Sequence, residues 1–284
     1  MDDVPDQGFP AALSSQLSTR FLGRPLRFFD SIDSTNTYAS RLARDGAAEG
    51  TAVIADTQTG GKGRLGRSWV SPPGVNLYLS VILRPSKSAA SAPQLSLLAA
   101  VAVAETIAQH IQLSPAIKWP NDVLVSGKKV CGILTEMQTK ACGLQAVILG
   151  IGVNINASLS VFPEELQAKA ASLLVVNGQL IDRVAFTAHL LTRLEKLYVL
   201  WLEEGFPVVR SAWEGYAADL LGKPIMIAAP EGTISGTALG IDHDGALLVQ
   251  LVQEGQEEQG GQPGDIRRVL AGDVTVVGGY RKTD

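Results

Sequence analysis

A glycine-rich cationic run, QTGGKGRLGRSW at residues 58–69, constrains the fold of this chain more than any other feature. Glycine adopts positive φ without strain, so the four glycines of this run favour a turning loop over a helix or a strand. The segments on either side, residues 51–55 and 76–83, alternate in side-chain type and are rich in β-branched residues, which is typical of strands. We therefore predict a loop between two strands, and we call residues 58–69 the cationic loop.

The cationic loop has the composition of an anion-binding site. It carries Lys62, Arg64 and Arg67 and no carboxylate. Glycine lets backbone N–H groups approach a ligand closely, and guanidinium groups match phosphate and carboxylate oxygens in a two-pronged way. No Asp or Glu occurs from residue 57 to residue 104, so these cations, together with Arg84 and Lys87, have no local compensation. A solvated glycine-rich turn is the alternative, because such runs are weakly specific by themselves.

Length and composition indicate an ordinary globular protein. At 284 residues and 46% hydrophobic, the chain can form one large domain and a small one. The net charge of -4 argues against wholesale binding of nucleic acid. The first ten residues lack the basic and apolar regions of a secretory signal, so we expect a cytoplasmic protein. The longest apolar stretch, residues 95–104, is well short of the roughly 20 residues that span a bilayer, so we expect no membrane segment.

Cysteine and histidine offer no clear chemistry. Cys131 and Cys142 cannot form a metal cluster alone, and we expect them to be small buried side chains. His110, His189 and His243 lie far apart in sequence, with no Ser or Cys motif beside them. We expect structural roles for all three.

The hydrophobic pattern predicts an α+β fold with a mixed, mostly antiparallel sheet flanked by helices. One predicted helix begins with an N-cap at Asp33 or Ser34 and ends near Gly46. Three further predicted helices cover residues 94–110, 181–204 and 208–221. Further predicted strands are a hairpin of residues 123–125 and 130–136 around Ser126-Gly127, and residues 144–151. From Gly222 onward short strands alternate with turns, which predicts a small β-barrel with a polar, exposed hairpin tip at residues 253–265.

A second informative run is KWPNDVLVSGKKVCGILTE, residues 118–136. Pro120 fixes a turn, so Asn121 and Asp122 are presented at the start of a strand. Asp122 could orient a cation or a metal-bound phosphate, or it could cap a turn. Lys129 follows the hairpin turn and could either reach a site beside the sheet or face solvent.

A third run, GIGVNIN at residues 150–156, ends a strand with small residues and two amides. Asn154 and Asn156 suit hydrogen bonds to a sugar, a base or a phosphate across a close backbone approach. Turn chemistry alone would also explain this run.

Together these runs resemble the biotin protein ligases, the enzymes that attach biotin to carboxylases. The motifs follow the family's order and spacing across residues 28–277: DSTN, TQTGGKGRLGRSW, NLYLS, KWPND followed by GKKVCGIL, and GIGVNIN. The resemblance implies a catalytic domain like that of class II synthetases at residues 26–221, after an N-terminal extension at 1–25. It also implies an SH3-like β-barrel at residues 222–284.

The resemblance implies a two-step ligase with ATP and biotin as substrates. The carboxylate of biotin attacks the α-phosphate of ATP to give biotinyl-AMP and pyrophosphate, and a lysine of a biotin carboxyl carrier domain then takes the biotin. Mg²⁺ is expected to be held mainly by the ATP phosphates, with Asp122 as a possible ligand and no dedicated metal site.

The resemblance also implies which residues form the site. The implied catalytic residues are Lys129, Arg64 and Lys62. The implied biotin-binding residues are Ser34, Thr35, Asn36, Gln58, Lys62, Gly63, Arg64, Trp69, Lys129, Gly132 and Leu134. The implied nucleotide-binding residues are Arg64, Arg67, Trp69, Lys118, Asn121, Asp122, Asn154 and Asn156.

Two departures from the family pattern affect these expectations. Lys62 stands where many relatives have Arg, which keeps the charge and loses the two-pronged geometry. Residues 166–174 contain no tryptophan, whereas some relatives stack adenine on an aromatic ring in this region.

Other functions are weighed against the same residues. Lipoate ligases share the fold and reaction type but lack the KWPND and GKGRLGR runs as written here. A noncatalytic biotin-binding or regulatory protein would need the biotin-side residues but not a cluster of cations. Some relatives carry an N-terminal winged helix and act as repressors; residues 1–25 are too few for such a domain, so we expect no nucleic-acid partner. Monomer and homodimer both stay open.

Overall fold

The computed structural model of the chain describes residues 8–140, 143–229, 232–252 and 264–280. Within these ranges the fold consists of a large sheet with helices on both faces and a smaller C-terminal sheet. The helices are α1 (Gly8–Gln16), α2 (Thr35–Arg44), α3 (Ala92–Thr106), α4 (Glu164–Gln167), α5 (Leu173–Asn177), α6 (Arg183–Glu204) and α7 (Phe206–Tyr216).

The strands fall into two sheets. They are β1 (Leu26–Ile32), β2 (Ala52–Gln58), β3 (Leu77–Leu83), β4 (Pro115–Lys118), β5 (Asp122–Val125), β6 (Lys128–Lys140), β7 (Gly143–Val153), β8 (Pro224–Ala229), β9 (Gly232–Ile241), β10 (Leu247–Leu251), β11 (Ile266–Val269) and β12 (Asp273–Val276). The large sheet has the order β1-β2-β3-β7-β6-β5-β4, and the small sheet has the order β11-β10-β9-β8-β12.

The large sheet confirms the predicted mixed, mostly antiparallel topology. Among the described strand pairs of this sheet, β1 and β2 are parallel and the other five pairs are antiparallel. The predicted hairpin joins β5 to β6, with Ser126 at φ 50° and Gly127 at φ 73°. Positive φ at both positions is the geometry of a two-residue hairpin turn.

The helix α3 fills the centre of the molecule, as its Ala- and Leu-rich sequence predicts. Twelve of its 15 residues are buried, because the sheet covers one side and α6 and α7 pack on the other. The stretch Ala89–Ile111 is long and apolar enough to cross a membrane by length and composition, but 78% of its apolar window is buried inside the fold. This burial is that of a core helix, which is hydrophobic all round.

The helix α2 covers the opposite face of the sheet. Its buried Ala39 and Ala43 pack on Val53 of β2, Ile82 of β3 and Ile148 of β7. Since this helix starts at the sheet edge where β2 ends, its N-terminus is brought beside the cationic loop.

The described part of the N-terminal segment, residues 8–25, packs on the core, and the predicted boundary of the N-terminal extension at 25/26 stays a prediction. The ring of Phe9 on α1 is buried in the main hydrophobic cluster. The carboxylate of Glu195 on α6 accepts the backbone N–H groups of residues 20–22 at 2.7 to 2.9 Å. A helix-borne carboxylate therefore fixes the path of the chain between α1 and β1.

The C-terminal sheet has the SH3-like architecture that the sequence predicts. Ile225, Ile227 and Val274 point inward and are buried. The indole of Trp119 donates to the carbonyl of Gly245 at 3.0 Å and so connects this sheet to the start of β5. Most of the predicted hairpin tip, residues 253–263, lies outside the described residues, and the domain boundary at 221/222 stays a prediction.

Candidate active site

An open cleft of about 470 Å³ lies where the N-terminus of α2, the end of β2, the cationic loop and strands β6 and β7 meet. The lining residues are Ser34, Thr35, Asn36, Gln58, Lys62, Gly63, Arg64, Trp69, Tyr78, Leu79, Asn121, Lys129, Gly132, Ile133, Leu134, Gly150, Ile151 and Gly152.

One end of the cleft is polar and built on the start of α2. Ser34 is the N-cap of this helix, and its hydroxyl accepts the N–H of Thr37 at 3.4 Å. Serine favours this position because it satisfies an otherwise unpaired helix N–H group. The backbone N–H of Thr35 donates to Oε1 of Gln58 at 2.9 Å, and the Thr35 hydroxyl lies 3.1 Å from the same oxygen.

Asn36 is buried beneath this polar end and is bonded on both sides of its amide. Its Nδ2 donates to Oε2 of Glu136 at 2.8 Å and to the carbonyl of Leu134 at 3.3 Å. Its Oδ1 accepts from the hydroxyl of Ser80 at 2.6 Å. We call Ser34, Thr35, Asn36, Gln58 and Ser80 the polar end.

Glycines form the floor of the cleft because side chains cross the sheet there at close range. A Cβ added at Gly150 would lie 2.1 Å from Oδ1 of Asn36, and one at Gly152 would lie 2.6 Å from the indole of Trp69. Both distances are far below van der Waals contact. The small residues of the GIGVNIN run are therefore explained by two side chains that press on β7.

The other end of the cleft is cationic. The ammonium of Lys129 lies 2.7 Å from Oδ1 of Asp122 and 5.4 Å from the ring centroid of Trp69. The guanidinium of Arg64 donates to Oδ1 of Asn121 at 2.8 Å. Two cations from distant parts of the chain are thus held beside one aromatic wall.

The environment of Arg64 is partly dehydrated. Burial lowers the pKa of its guanidinium from the ordinary value, whereas the carboxylates of Asp122 and Asp273 act in the opposite direction and Arg67 lowers it further. Arginine stays charged at neutral pH regardless. A partly dehydrated cation attracts an anionic ligand more strongly than one in water.

The cationic loop folds back on itself as a narrow turn. Lys62 and Ser68 form an antiparallel bridge, and the N–H of Gly63 donates to the carbonyl of Arg67 at 2.7 Å. At the tip, Leu65 has φ 56° and ψ 35°, and the residue is 69% exposed. The outer side of the loop borders a second cleft, the outer cleft, lined by Lys62, Gly63, Arg64, Leu65, Gly66, Arg67, Leu134 and Glu136.

A carboxylate of the C-terminal sheet reaches the cationic loop. Asp273, the first residue of β12, pairs with Arg67 at 2.9 Å and with Lys118 of β4 at 2.9 Å. Burial raises the pKa of this carboxyl, but the two cationic partners outweigh burial and lower it overall. The second sheet is therefore tied electrostatically to the site.

Comparison with known proteins agrees with this geometry. Residues 28–154 match the model of the Biotin/lipoate A/B protein ligase family, and residues 220–277 match that of the Biotin protein ligase C terminal domain. The chain is 44% identical over 239 residues to the bifunctional ligase/repressor BirA of Bacillus spizizenii, covering 84% of this chain and 73% of the relative. It is 37% identical to the biotin--[acetyl-CoA-carboxylase] ligase of Paracoccus denitrificans, covering 77% of this chain and 91% of the relative.

The chain belongs to the biotin protein ligase family. Among solved structures, it is similar to the biotin protein ligase from Aquifex aeolicus in complex with biotin and ATP. The TM-score is 0.72 at 30% identity, and the match covers 89% of this chain and 98% of that one. The family assignment inferred from the sequence motifs is confirmed.

The structure brings together all of the residues that the family resemblance assigns to biotin. They line the cleft from the polar end to the cations. Among those assigned to the nucleotide, Arg64, Trp69 and Asn121 also line the cleft, Asp122 contacts Lys129, and Arg67 and Lys118 share Asp273. The contacts of each residue with a ligand stay predictions.

Asn154 and Asn156 are placed differently from what the family resemblance implies. The amide of Asn154 donates to the carbonyl of Ala171 at 3.2 Å. The amide of Asn156 exchanges two hydrogen bonds with the backbone of Ile181, at 2.8 and 3.0 Å. Neither lines the cleft, because their polar atoms hold the segments that follow β7.

Three residues that the sequence analysis missed take part in the site: Ser80, Glu136 and Asp273. Ser80 carries a weak signal, since it is the single polar side chain besides Tyr78 in the buried strand LYLSVIL. Glu136 and Asp273 carry none, because they meet Asn36 and Arg67 across 100 and 206 residues of sequence.

Two cations grouped with the loop by sequence lie elsewhere. The guanidinium of Arg84 donates to the carbonyls of Ala43, Ala47 and Gln145, where it caps the end of α2. The ammonium of Lys87 lies 5.1 Å from the ring centroid of Trp201. The absence of local acidic residues in sequence therefore overstated the positive charge of the site.

The cysteine and the histidines that the structure describes lie outside the lining of the cleft. Cys131 is buried as expected, and burial raises the pKa of its thiol well above the ordinary range; Cys142 lies outside the described residues. The rings of His110 and His189 stack at 3.4 Å between centroids, although they are distant in sequence. Among the described residues, the one group with metal-ligand spacing is Asp242, His243 and Asp244 on the C-terminal sheet, and Arg268 already pairs with both carboxylates.

Proposed function

We propose that this protein is an ATP-dependent ligase that activates biotin to biotinyl-AMP and transfers biotin to a lysine of a biotin carboxyl carrier domain. The observation that carries the proposal is the cleft, which joins a neutral polar end, an aromatic wall and three cations. No carboxylate occurs among the described residues that line it. Relatives named as biotin ligases, and a solved relative in complex with biotin and ATP, support the same reaction.

The two ends of the cleft suit the two ends of biotin. The hydroxyl and amide groups of the polar end match a cyclic urea, which offers both N–H donors and a carbonyl acceptor. Trp69 and Leu134 provide apolar wall for the ring and the aliphatic chain. At the opposite end, the carboxylate of biotin is attracted by the positive charges of Lys62, Arg64 and Lys129.

The first step brings two anions together. An oxygen of the biotin carboxylate bonds to the α-phosphorus of ATP, the bond to the β-phosphate oxygen breaks, and pyrophosphate leaves with the electron pair. Negative charge accumulates between the carboxylate and the phosphate, where Lys129 and Arg64 are placed to stabilise it. Removing one preorganised donor of this kind typically costs about 10²–10³ in rate.

The nucleotide side of the site is proposed around Arg64. Asn121 accepts from Arg64 and also donates to the carbonyl of Ile133 at 2.8 Å, so the guanidinium is held in place by β6. Lys118 and Arg67 lie nearby through their shared partner Asp273 and suit the distal phosphates. We assign Asn154 and Asn156 an indirect part, since they fix backbone that borders this side.

Magnesium enters this proposal as part of the substrate MgATP. Mg²⁺ usually keeps several waters and binds through substrate phosphates and one or two carboxylates. Asp122 is the carboxylate that we assign as a possible ligand, and it is paired with Lys129. This arrangement fits a metal carried by ATP better than a resident metal site.

In the second step the lysine amine of the carrier attacks the carboxyl carbon, an amide bond forms, and AMP leaves. A carrier domain is therefore the proposed protein partner, and neither nucleic acid nor membrane has a role in the reaction. A cytoplasmic location is part of the same proposal. The proposal leaves both a monomer and a homodimer open.

The alternatives are less well supported. The match to a biotin protein ligase C terminal domain at residues 220–277 favours biotin over lipoate. A noncatalytic binding protein would not need two cations held beside Asp122 and Asn121.

The test is biotin- and ATP-dependent release of pyrophosphate by the purified protein, with and without a biotin carboxyl carrier domain, and with the mass of the carrier followed in parallel. We expect release in both cases and a mass increase of one biotin on the carrier. Lipoate in place of biotin is the matched control and is expected to give neither. Binding of biotin without pyrophosphate release would reject the ligase and leave a binding protein.

A further inference from the structure

The orientation of the buried Asn36 amide is determined by its partners. A carboxylate and a backbone carbonyl accept hydrogen bonds but do not donate them. Glu136 and the carbonyl of Leu134 both face one side of the amide, so this side must be the NH₂ group. The opposite side is therefore the amide oxygen, and it faces Ser80.

The hydroxyl of Ser80 has one proton, and Asn36 determines where it goes. Ser80 Oγ lies 2.6 Å from Oδ1 of Asn36 and 2.8 Å from Oγ1 of Thr35. Because an amide oxygen cannot donate, Ser80 must donate to Asn36. The Thr35 hydroxyl lies 2.8 Å from Ser80 Oγ and 3.1 Å from Oε1 of Gln58, which already accepts the N–H of Thr35, so we assign its proton to the nearer, fully buried Ser80.

The same reasoning determines the polarity of Thr35. With its proton directed to Ser80, the Thr35 hydroxyl keeps lone pairs and has no proton left for the cleft that it lines. Oε1 of Gln58, 3.1 Å away, is satisfied by the backbone N–H of Thr35. At this point the wall of the cleft accepts hydrogen bonds and does not donate them.

We propose that Glu136 and Ser80 are positioning residues that set this polarity and thereby select a ligand with an N–H donor at the polar end. The carboxylate of Glu136 orients the amide of Asn36. The hydroxyl of Ser80 then donates its hydrogen bond to Asn36 and accepts one from the hydroxyl of Thr35. Glu136 borders the outer cleft and lies on the same face of β6 as Leu134, so a side chain beside the cleft sets hydrogen bonding within it. The inference rests on the proposed function, in which that donor is a ureido N–H of biotin.

The experiment measures the Kd of biotin by calorimetry and the KM values of biotin and ATP by pyrophosphate release, for Glu136→Ala, Glu136→Gln, Ser80→Ala and the double variant Glu136→Ala/Ser80→Ala. Leaving a buried polar group unpaired should weaken biotin binding roughly ten- to a hundredfold in each alanine variant, with the KM of ATP within about twofold. Glu136→Gln should stay within about threefold of wild type, because an amide oxygen still accepts from Asn36.

The double variant separates a chain of hydrogen bonds from two independent contacts. If Glu136 and Ser80 act through the same Asn36, the double variant should bind biotin about as weakly as the weaker single variant, whereas independent effects would multiply. Glu203→Gln, an exposed carboxylate at the end of α6, is the control and should behave as wild type. The melting temperature of each variant shows whether it folds. If Glu136→Ala fails to fold, Ser80→Ala tests the same series of hydrogen bonds from its other end.

Each outcome bears on one proposal. Unchanged biotin binding in both alanine variants, equal losses for biotin and ATP, or multiplied effects in the double variant would overturn the positioning role. Wild-type protein that binds biotin but releases no pyrophosphate would overturn the ligase and leave the binding arm of this test intact.

Discussion

The two ends of the cleft are built in opposite ways. At the polar end, Ser34, Thr35, Asn36 and Ser80 are 0 to 4% exposed and their polar atoms are paired within the chain. In the cationic loop, residues 65–68 are exposed, and the loop is held by a few backbone hydrogen bonds, the hydrogen bond from Arg64 to Asn121 and the exposed ion pair of Arg67 with Asp273. One end is complete without ligand, whereas the other presents charge on a weakly supported turn.

The difference follows from the chemistry of the groups. Neutral donors and acceptors can form hydrogen bonds with one another, so they can be held in position without electrostatic repulsion. Cations brought together repel one another until an anion lies between them. A loop with few buried contacts has low local stability, so it can become ordered when a ligand binds beneath it. We therefore expect the polar end to determine which ligand binds and the cationic loop to determine what happens to it.

The largest expected effect is at Lys129. Lys129→Ala should lower kcat/KM for pyrophosphate release about 10²–10³-fold, because a donor aimed at the developing charge is lost. The Kd of biotin should change less, since the polar end is intact. Lys128→Ala is the matched control: Lys128 precedes Lys129 on β6, and its ammonium lies 3.5 Å from the carbonyl of Gln167, away from the cleft. Equal losses in the two variants would mean that charge on this hairpin, and not the position of Lys129, matters.

The next effect concerns retention of the intermediate. Arg64→Gly should still form biotinyl-AMP but release it, because the loop loses its contact with Asn121 and a cation near the phosphate. The measurement is biotin labelling of a bystander protein by mass spectrometry; wild type should label only the carrier. Arg67→Gly, on the same loop but paired with Asp273, is the control and should label bystanders much less. Labelling restricted to the carrier in Arg64→Gly would show that another group retains the adenylate.

The sequence predicted the elements that depend on local chemistry. The N-cap at Ser34, the Ser126-Gly127 turn and the buried helix α3 are each specified by residues within a few positions. Strand β1 was missed because it lies at the sheet edge with a half-buried, irregular pattern. Helix α1 was missed because its nine residues carry no N-terminal acidic or C-terminal basic signal.

The site divides in the same way. The unusual composition of the cationic loop and of the KWPND run identifies them in the sequence, so their residues were found. Glu136 and Asp273 look like ordinary surface carboxylates in sequence and acquire their roles only through contacts that the fold creates. Asn154 and Asn156 were assigned to ligand by their side-chain chemistry, but backbone groups 17 and 25 residues away bond the same atoms.

A smaller effect tests the glycine floor. Gly150→Ala places a Cβ where Oδ1 of Asn36 now lies, so Asn36 must move and the polar end must open. Overpacking of this kind typically costs about 1–3 kcal/mol, and we expect a lower melting temperature and roughly tenfold weaker biotin binding. Gly215→Ala is the control, because α7 leaves open space there and alanine favours a helix by about 1 kcal/mol. Unchanged biotin binding in Gly150→Ala would show that the polar end is less rigid than its hydrogen bonds indicate.

The smallest expected effect is at Asp273, where the C-terminal sheet meets the cationic loop. Asp273→Asn should raise the KM of ATP by roughly two- to fivefold and leave the Kd of biotin unchanged, because exposed ion pairs contribute only about 0.2–1 kcal/mol. The side chains of Arg67 and Asp273 are 62% and 36% exposed, which places this contact in that class. An equal change in biotin binding would contradict the division of labour between the two ends of the cleft.

The pH dependence of the same variant gives a second test. The folded-state pKa of Asp273 is below its ordinary value of 3.8, since its pairing with Lys118 and Arg67 outweighs burial. The stability that the ionised carboxylate contributes is therefore present above pH 3.8 and is lost as the pH falls through the lower folded-state pKa. The melting temperature of wild type should exceed that of Asp273→Asn slightly at pH 7, and the difference should shrink as the pH is lowered below 3.8. A difference that grows on acidification would mean that the neutral carboxyl is the stabilising form, and the electrostatic link between the second sheet and the loop would have to be abandoned.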